Sequence, residues 1–273
     1  MQSVLDVLTG KHGLQPSNEY VHLFTAGLAV AGTVLMLIFK GLPVKIVIDW
    51  FKEIGIKSGK IKRTISEVER KTFHLTGLGV PLAYQILTTK MGWTREDFVL
   101  FCWIATLGIW VGDVFRVLVP SSCNYFPYTV MNKIIREKEK TQLSGTCYFS
   151  LGVTVVIAYF PQPVAITSII WLVIGDMCAA IIGISFGGDA CVVKLGREGK
   201  KSLEGSAAMF ISCVTVGLIA FAGVPLSDYA VIIGSLAATI VELYEPLGVN
   251  DNITIPICSA AALQWALARV ENC

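Results

Sequence analysis

Residues 164–186 read VAITSIIWLVIGDMCAAIIGISF. Asp176 is the single charge in this run, and everything else is apolar, small or hydroxyl-bearing. A helix needs about 20 such residues to cross a bilayer, within a range of about 17–25. Seven further segments fit the same reading. They are Tyr20–Phe39, Thr72–Thr89, Phe98–Val119, Cys147–Phe160, Ser206–Val224, Tyr229–Leu247 and Ile253–Val270. Cys147–Phe160 is short for a span. Pro81 and Pro256 fall inside two of the segments, where neighbouring helices can satisfy the freed carbonyls.

Composition agrees. The 273 residues are 54% hydrophobic and 15% charged, against roughly 25% charged in a soluble domain. The sequence therefore predicts an all-α, polytopic transmembrane helix bundle of about eight spans. A net charge of +2 gives no reason to expect a nucleic-acid partner. None of the eight cysteines forms a Cys-x-x-Cys pair. Most lie in apolar runs, where cysteine behaves as a small hydrophobe, so neither a disulfide framework nor a zinc site is expected. The terminal Glu-Asn-Cys is not a prenylation box, and no cleavable signal peptide is evident before the first apolar run.

Between the spans lie two amphipathic stretches. Val44, Val47, Phe51 and Ile54 recur at helical spacing among Lys45, Asp49, Lys52 and Glu53, with Trp50 suited to the headgroup level. Tyr128, Met131 and Ile135 share a face that excludes Lys133, Arg136, Glu137 and Lys140. Both read as helices lying in the membrane interface. Two regions are expected: residues 1–60, with the first span and an interfacial helix, and residues 61–273, the main membrane domain.

Lysine and arginine set the topology. Residues 40–71 carry nine, 116–140 carry five and 194–201 carry four. If eight spans alternate, these regions share one side, and only Lys11, Lys90, Arg95 and Arg269 fall on the other. The positive-inside rule places the basic side in the cytosol and the N-terminus across the membrane. The Asn252-Ile-Thr254 glycosylation triplet then faces the cytosol and is discounted.

The ionisable residues near the spans gather on that same side. Arg70, Lys71 and His74 enter the second span. Asp113 and Arg116 lie three residues apart near the end of the third. Asp176 is in the fifth; Lys200, Lys201, Ser202 and Glu204 precede the sixth; Glu242 and Glu245 close the seventh; Asp251 and Asn252 open the eighth. Intramembrane charge is expensive and usually functional. Carboxylates beside several cations suit a phosphate site, since carboxylates can hold Mg²⁺ on substrate phosphates and cations neutralise charge in phosphoryl transfer. Gly183 and Gly187 permit close backbone approach to a phosphate; the same spacing also reads as a small-xxx-small helix contact. Gly199-Lys200-Lys201-Ser202 is not a Walker loop, because Lys194 stands where the first glycine would be.

These blocks, in this order, resemble the CTP-dependent lipid kinases: the diacylglycerol kinases of the yeast type, with dolichol, polyprenol and phytol kinases as relatives. The resembling blocks are Arg70-Lys71-x-x-His74, Asp113-x-x-Arg116 with Pro120, and Arg136-x-x-Glu139 with Gly145 and Tyr148. Then come Asp176-x-x-Ala179-x-x-x-Gly183-x-x-x-Gly187, Lys201-Ser202-x-x-Gly205-Ser206, and Glu242 followed by Asp251-Asn252-x-Thr254-Ile255-Pro256. They cover about two-thirds of the chain. The last blocks look closest to the diacylglycerol kinase branch, with one departure: Asn250 stands where that branch often has a second acid.

The resemblance implies a kinase that moves the γ-phosphoryl group of CTP to a membrane lipid alcohol, in first place diacylglycerol, at the cytosolic face of the endoplasmic reticulum. It implies nucleotide binding by Asp176, Ala179, Gly183, Gly187, Lys201, Ser202, Gly205, Arg136 and Glu139. Mg²⁺ or another divalent ion would be held by Asp176, Glu242, Asp251 and Asn252. Arg70, Lys71 and Arg116 would act at the phosphates, with Asp113 orienting or deprotonating the hydroxyl and His74 the second candidate. Three alternatives stand beside it: a dolichol, polyprenol or phytol kinase, a transporter, and a phosphatidate cytidylyltransferase. Nothing in the sequence specifies an oligomeric state.

Overall fold

A computed structural model describes residues 44–121, 137–187, 201–222 and 227–270, with residues 26, 27 and 30. The expected first span lies outside these residues apart from 26, 27 and 30. So do Arg136, Lys200 and most of the second amphipathic stretch.

The described chain forms nine helices. They are α1 (Val44–Glu53), α2 (Ser58–His74), α3 (Gly79–Lys90), α4 (Arg95–Leu118), α5 (Gly145–Tyr159), α6 (Gln162–Phe186), α7 (Leu203–Ala220), α8 (Ser227–Tyr244) and α9 (Asp251–Val270). No strand forms among the described residues. Four helices, α4, α6, α7 and α8, are long and apolar enough to cross a membrane. The expected second span is divided: its first residues end the polar helix α2, a short 3₁₀ turn covers Leu75–Leu78, and α3 completes it. Helix α5 has 15 residues. Helix α9 has 20 and is shielded by neighbours, with Ile255, Ser259, Ala260, Leu263 and Ala266 fully buried.

Helix α6 is the core of the bundle, as a surface apolar nearly all round requires. Residues 164–174 are buried without interruption. A π-helical turn at Trp171–Gly175 interrupts it just before Asp176. The extra residue in such a turn rotates the face that follows by about 100°, which separates the Asp176 face from that of the preceding apolar turns. Trp171 needs space that two glycines provide. A Cβ on Gly217 would lie 2.9 Å from the indole, and one on Gly234 would lie 2.6 Å from it.

The ends of the helices are pinned locally. Thr94 and Asp97 form a reciprocal capping box at the start of α4, satisfying two backbone donors. Beside it the Arg95 guanidinium donates to the carbonyls of Ile157, Ala158 and Phe160 at the end of α5. Helix α1 is amphipathic, although Ile54, expected on its apolar face, is exposed. Val47 and Phe51 bury against Ile56, Ile61 and Val68, while Ile46, Trp50 and Ile54 remain exposed. This small cluster crosses residue 60, where the sequence suggests a boundary.

Candidate active site

Helix α2 delivers three candidate side chains within its last turn and a half. Arg70 pairs with Glu67 one turn earlier. Lys71 is 3% exposed and pairs with Asp176, which the π turn aims toward α2. His74 places Nδ1 3.0 Å from the Arg70 carbonyl oxygen. With Nδ1–H donating there, Nε2 is left as the acceptor. Burial, then the Lys71 charge, lowers the His74 pKa below its ordinary value, so the ring is neutral near pH 7.

A second cluster adjoins the first. Lys201 pairs with Glu242 near the end of α8 and lies 3.5 Å from Glu245. Burial alone would lower the Lys201 pKa. The carboxylates of Glu242, Asp251 and Asp176 outweigh it and hold the ammonium above the ordinary lysine value. Asp251, at the start of α9, feels Asp176, Lys71 and Lys201 together. The Asn250 side chain accepts from the Asn252 backbone at 3.0 Å, and Asn252 reaches the Gly145 carbonyl at 3.4 Å.

Arg70, Lys71, His74 and Asp176, with Asn250, Asp251 and Asn252, form one end of a cavity of about 430 Å³; the expected residues Lys201 and Glu242, like Glu245, stand beside it and do not line it. Its charged end is lined by Arg70, Lys71, His74, Glu139, Asp176 and Asp251, and by Ser144 with Asn252. Its other end is an apolar groove between α3, α4 and α5.

Two further sets of expected residues stand elsewhere. Asp113 and Arg116 do not line the cavity. They are 2% and 1% exposed and bonded to each other at 2.7 Å. Arg116 also donates to the carbonyls of Lys140 and Gln142, and Asp113 accepts from the Ser144 backbone at 2.7 Å. Together they staple residues 139–145 against α4, which sets Glu139 and Gly145 at the cavity. The expectation that Asp113 meets the acceptor hydroxyl does not fit this geometry, because its oxygens are committed to backbone and guanidinium.

The second set is glycine-rich. A Cβ on Gly205 would lie 2.8 Å from the Ala179 carbonyl oxygen and 3.2 Å from Gly183. One on Gly187 would lie 2.4 Å from the Ser202 hydroxyl. Ala179, Gly183, Gly187, Ser202 and Gly205 thus make a close contact between α6 and α7, behind Asp176 rather than in the cavity. Ser202 caps α7 by accepting from the Gly205 backbone. That helix start presents backbone N–H groups, a setting that favours anions.

Among the described residues no three His, Cys, Asp or Glu side chains converge as a ready-made cation site. The donor set still suits Mg²⁺, which is commonly held by one or two carboxylates with substrate phosphates completing its shell. Asp176 and Asp251 are two hard oxygen donors on one wall.

Sequence reasoning passed over Glu67, although its spacing from Arg70 is that of a helical ion pair. It also passed over Ser144, which lines the cavity beside Gly145, and the left-handed backbone of Glu245, φ 44°. No local signal marks these last features.

No protein-family model matches the chain, and no solved structure matches it significantly. Four curated relatives do match, among them the following three. An uncharacterized protein of Rickettsia prowazekii is 30% identical over 197 residues, 70% of this chain and 90% of that protein. The CTP-dependent diacylglycerol kinase 1 of Schizosaccharomyces pombe is 27% identical over 72% of this chain and 92% of its own length. A probable chloroplastic phytol kinase of Triticum aestivum is 29% identical over 50% of this chain and 48% of its own. The chain belongs to the family of the yeast-type CTP-dependent diacylglycerol kinases, to which phytol kinase is related.

Proposed function

We propose that the protein transfers the γ-phosphoryl group of CTP to the hydroxyl of a membrane lipid alcohol, diacylglycerol, giving phosphatidate and CDP. One observation carries this reading: a single cavity joins a cluster of cations and carboxylates to an apolar groove within the bundle. A lipid alcohol has that same division, a polar hydroxyl on a hydrocarbon body.

The phosphates lie at the charged end. Lys71 and Arg70 neutralise them there, and Lys201, which feels Asp176 and Asp251, adds positive charge from beside the cavity. Mg²⁺ would be held by Asp176 and Asp251, with Glu242 nearby, and supplies charge neutralisation across the phosphates. The acceptor hydroxyl sits against His74. Its oxygen bonds to phosphorus as the bond from phosphorus to the β-phosphate oxygen breaks, and its proton passes to Nε2 of His74. The staple formed by Asp113 and Arg116 positions this wall without touching the reacting atoms. Positioning and charge stabilisation carry most of such a reaction.

The side chosen by the basic residues supports a cytosolic site with the N-terminus in the lumen, and the family relationship supports the endoplasmic reticulum membrane. The test uses purified protein in mixed micelles with Mg²⁺, γ-labelled CTP or ATP, and diacylglycerol, phytol or a polyprenol. Label in phosphatidate from CTP is the expected result. Label only in phytyl or polyprenyl phosphate would replace the substrate, and no transfer to any lipid alcohol would overturn the reading.

A further inference from the structure

The cavity runs on from its charged end along one side of α4. Phe98, Cys102 and Thr106 form its inner row, while Phe101, Ala105 and Ile109 stand at its mouth. Phe101 and Ile109 are 52% and 38% exposed, so the groove opens sideways. The opposite wall is Phe149 and Val153 of α5, and Val80 and Ala83 of α3 close the third side. The polar atoms in the floor are already used. Thr106 bonds to Thr154 at 2.8 Å and to the Ser150 carbonyl at 3.2 Å. The floor therefore asks no hydrogen bond of a ligand.

The far end is shut by aromatic rings. Tyr84 and Phe98, each 1% exposed, stack at 4.8 Å. Phe101 lies 6.1 Å from Phe98, and Trp93 lies 6.1 Å from Phe101. From Ile109 to Phe98 the groove follows about 16 Å of helix, at about 1.5 Å per residue. One leaflet of a hydrocarbon core is about 15 Å deep, half of about 30 Å. Beyond the mouth, α4 bares Leu100, Ile104, Leu107 and Val111, the face such a helix turns to lipid.

We propose that this groove holds one hydrocarbon chain of the acceptor lipid, with the Tyr84–Phe98–Phe101 cluster as its stop. The inference rests on the lipid kinase reading above and deepens it. Three features select the occupant: the groove is continuous with the charged end, its mouth is lateral, and its length is one leaflet. An acyl chain lies along this groove to about leaflet depth, with the hydroxyl of its lipid beside His74. A polyprenol longer than a leaflet meets the aromatic stop. Ala83, at the depth of that stop, sets how far the chain reaches.

The decisive experiment uses the full-length protein in nanodiscs with a diacylglycerol bearing a photoreactive group midway along one chain. Labelling is expected within residues 98–109 or 149–154 and is displaced by excess dioleoylglycerol, whereas labelling of the outer face of α4 is not. In parallel, Ala83→Phe lowers the ratio of kcat/KM for dioleoyl- over dioctanoylglycerol by at least about tenfold, since excluding even two methylenes is worth about that much. Displaceable labelling confined elsewhere, or an unchanged ratio in a folded variant, overturns the proposal. If Ala83→Phe does not fold, labelling of the unmodified protein decides. Groove labelling without phosphoryl transfer by the unmodified protein would keep the chain site and remove the kinase reading. Transfer without groove labelling would do the reverse.

Discussion

Replacing Arg116 with methionine separates a staple from a catalytic pair. Arg116 is 1% exposed, bonds Asp113 through Nε at 2.7 Å, and donates to the carbonyls of Lys140 and Gln142 at 3.2 and 2.8 Å. Methionine fills much of the volume and removes all three bonds. It also leaves the Asp113 carboxylate buried opposite no cation. Breaking one side of a buried pair costs about 3–5 kcal/mol. A domain of comparable size loses about 2–4 °C per kcal/mol, so the melting temperature should fall by roughly 6–20 °C. The double variant Asp113→Asn with Arg116→Met removes the stranded charge and keeps an acceptor for Ser144. It should recover about half of that loss, because the two sites are coupled. The assay is thermal unfolding in detergent micelles, with phosphoryl transfer measured well below the melting temperature. An Arg116→Met protein that melts within about a degree of the unmodified one but has lost turnover would refute the staple and return Asp113 to the chemistry.

Three other outcomes follow from the site. Lys201→Met should lower kcat by about 10²–10³, the usual effect of losing one stabilising donor. Lys201→Arg, which keeps charge against Glu242 and Glu245, should retain thermal stability. Differential scanning fluorimetry beside the transfer assay checks both. His74 has a folded-state pKa below 6.5, from burial and then Lys71. Between the two values the folded protein binds fewer protons than the unfolded one, so stability rises with pH there. That contribution is complete above about pH 6.5 and is lost as pH falls toward the folded value. Melting temperature from about pH 5 to 7.5 should show this slope, and His74→Gln should flatten it. Finally, Gly205→Ala forces a Cβ to 2.8 Å from the Ala179 carbonyl oxygen and should cost about 1–3 kcal/mol with weaker CTP binding. Gly59→Ala meets nothing within 4 Å and should stabilise α2 by about 0.5–1 kcal/mol. Paired melting curves and CTP titrations decide this.

Much of the bundle is legible in the chain because a bilayer imposes a length and a polarity on each span. The run around Asp176, the apolar stretches of α4, α7 and α8, and the amphipathic face of Val47 and Phe51 all read directly. The residue set at the charged end is legible too, since ionisable side chains beside apolar spans are costly and few. Pairing is another matter. Lys71 meets Asp176 across more than a hundred residues, and Lys201 meets Glu242 across forty-one. Sequence periodicity describes one helix at a time and carries no register between helices.

Chain order alone therefore determined that this protein is a helical membrane bundle with its charge at one end, because hydrocarbon thickness and the cost of buried charge act on each segment separately. The tertiary structure decided which charges do what. Asp113 and Arg116 share a helical face that, by spacing, suits chemistry as well as packing. Only the return of residues 139–145 against α4 commits their polar atoms to backbone. The π turn before Asp176 and the sideways groove beside α4 arise in the same way, from how neighbouring helices pack, a property of pairs and triples of helices that no single segment encodes.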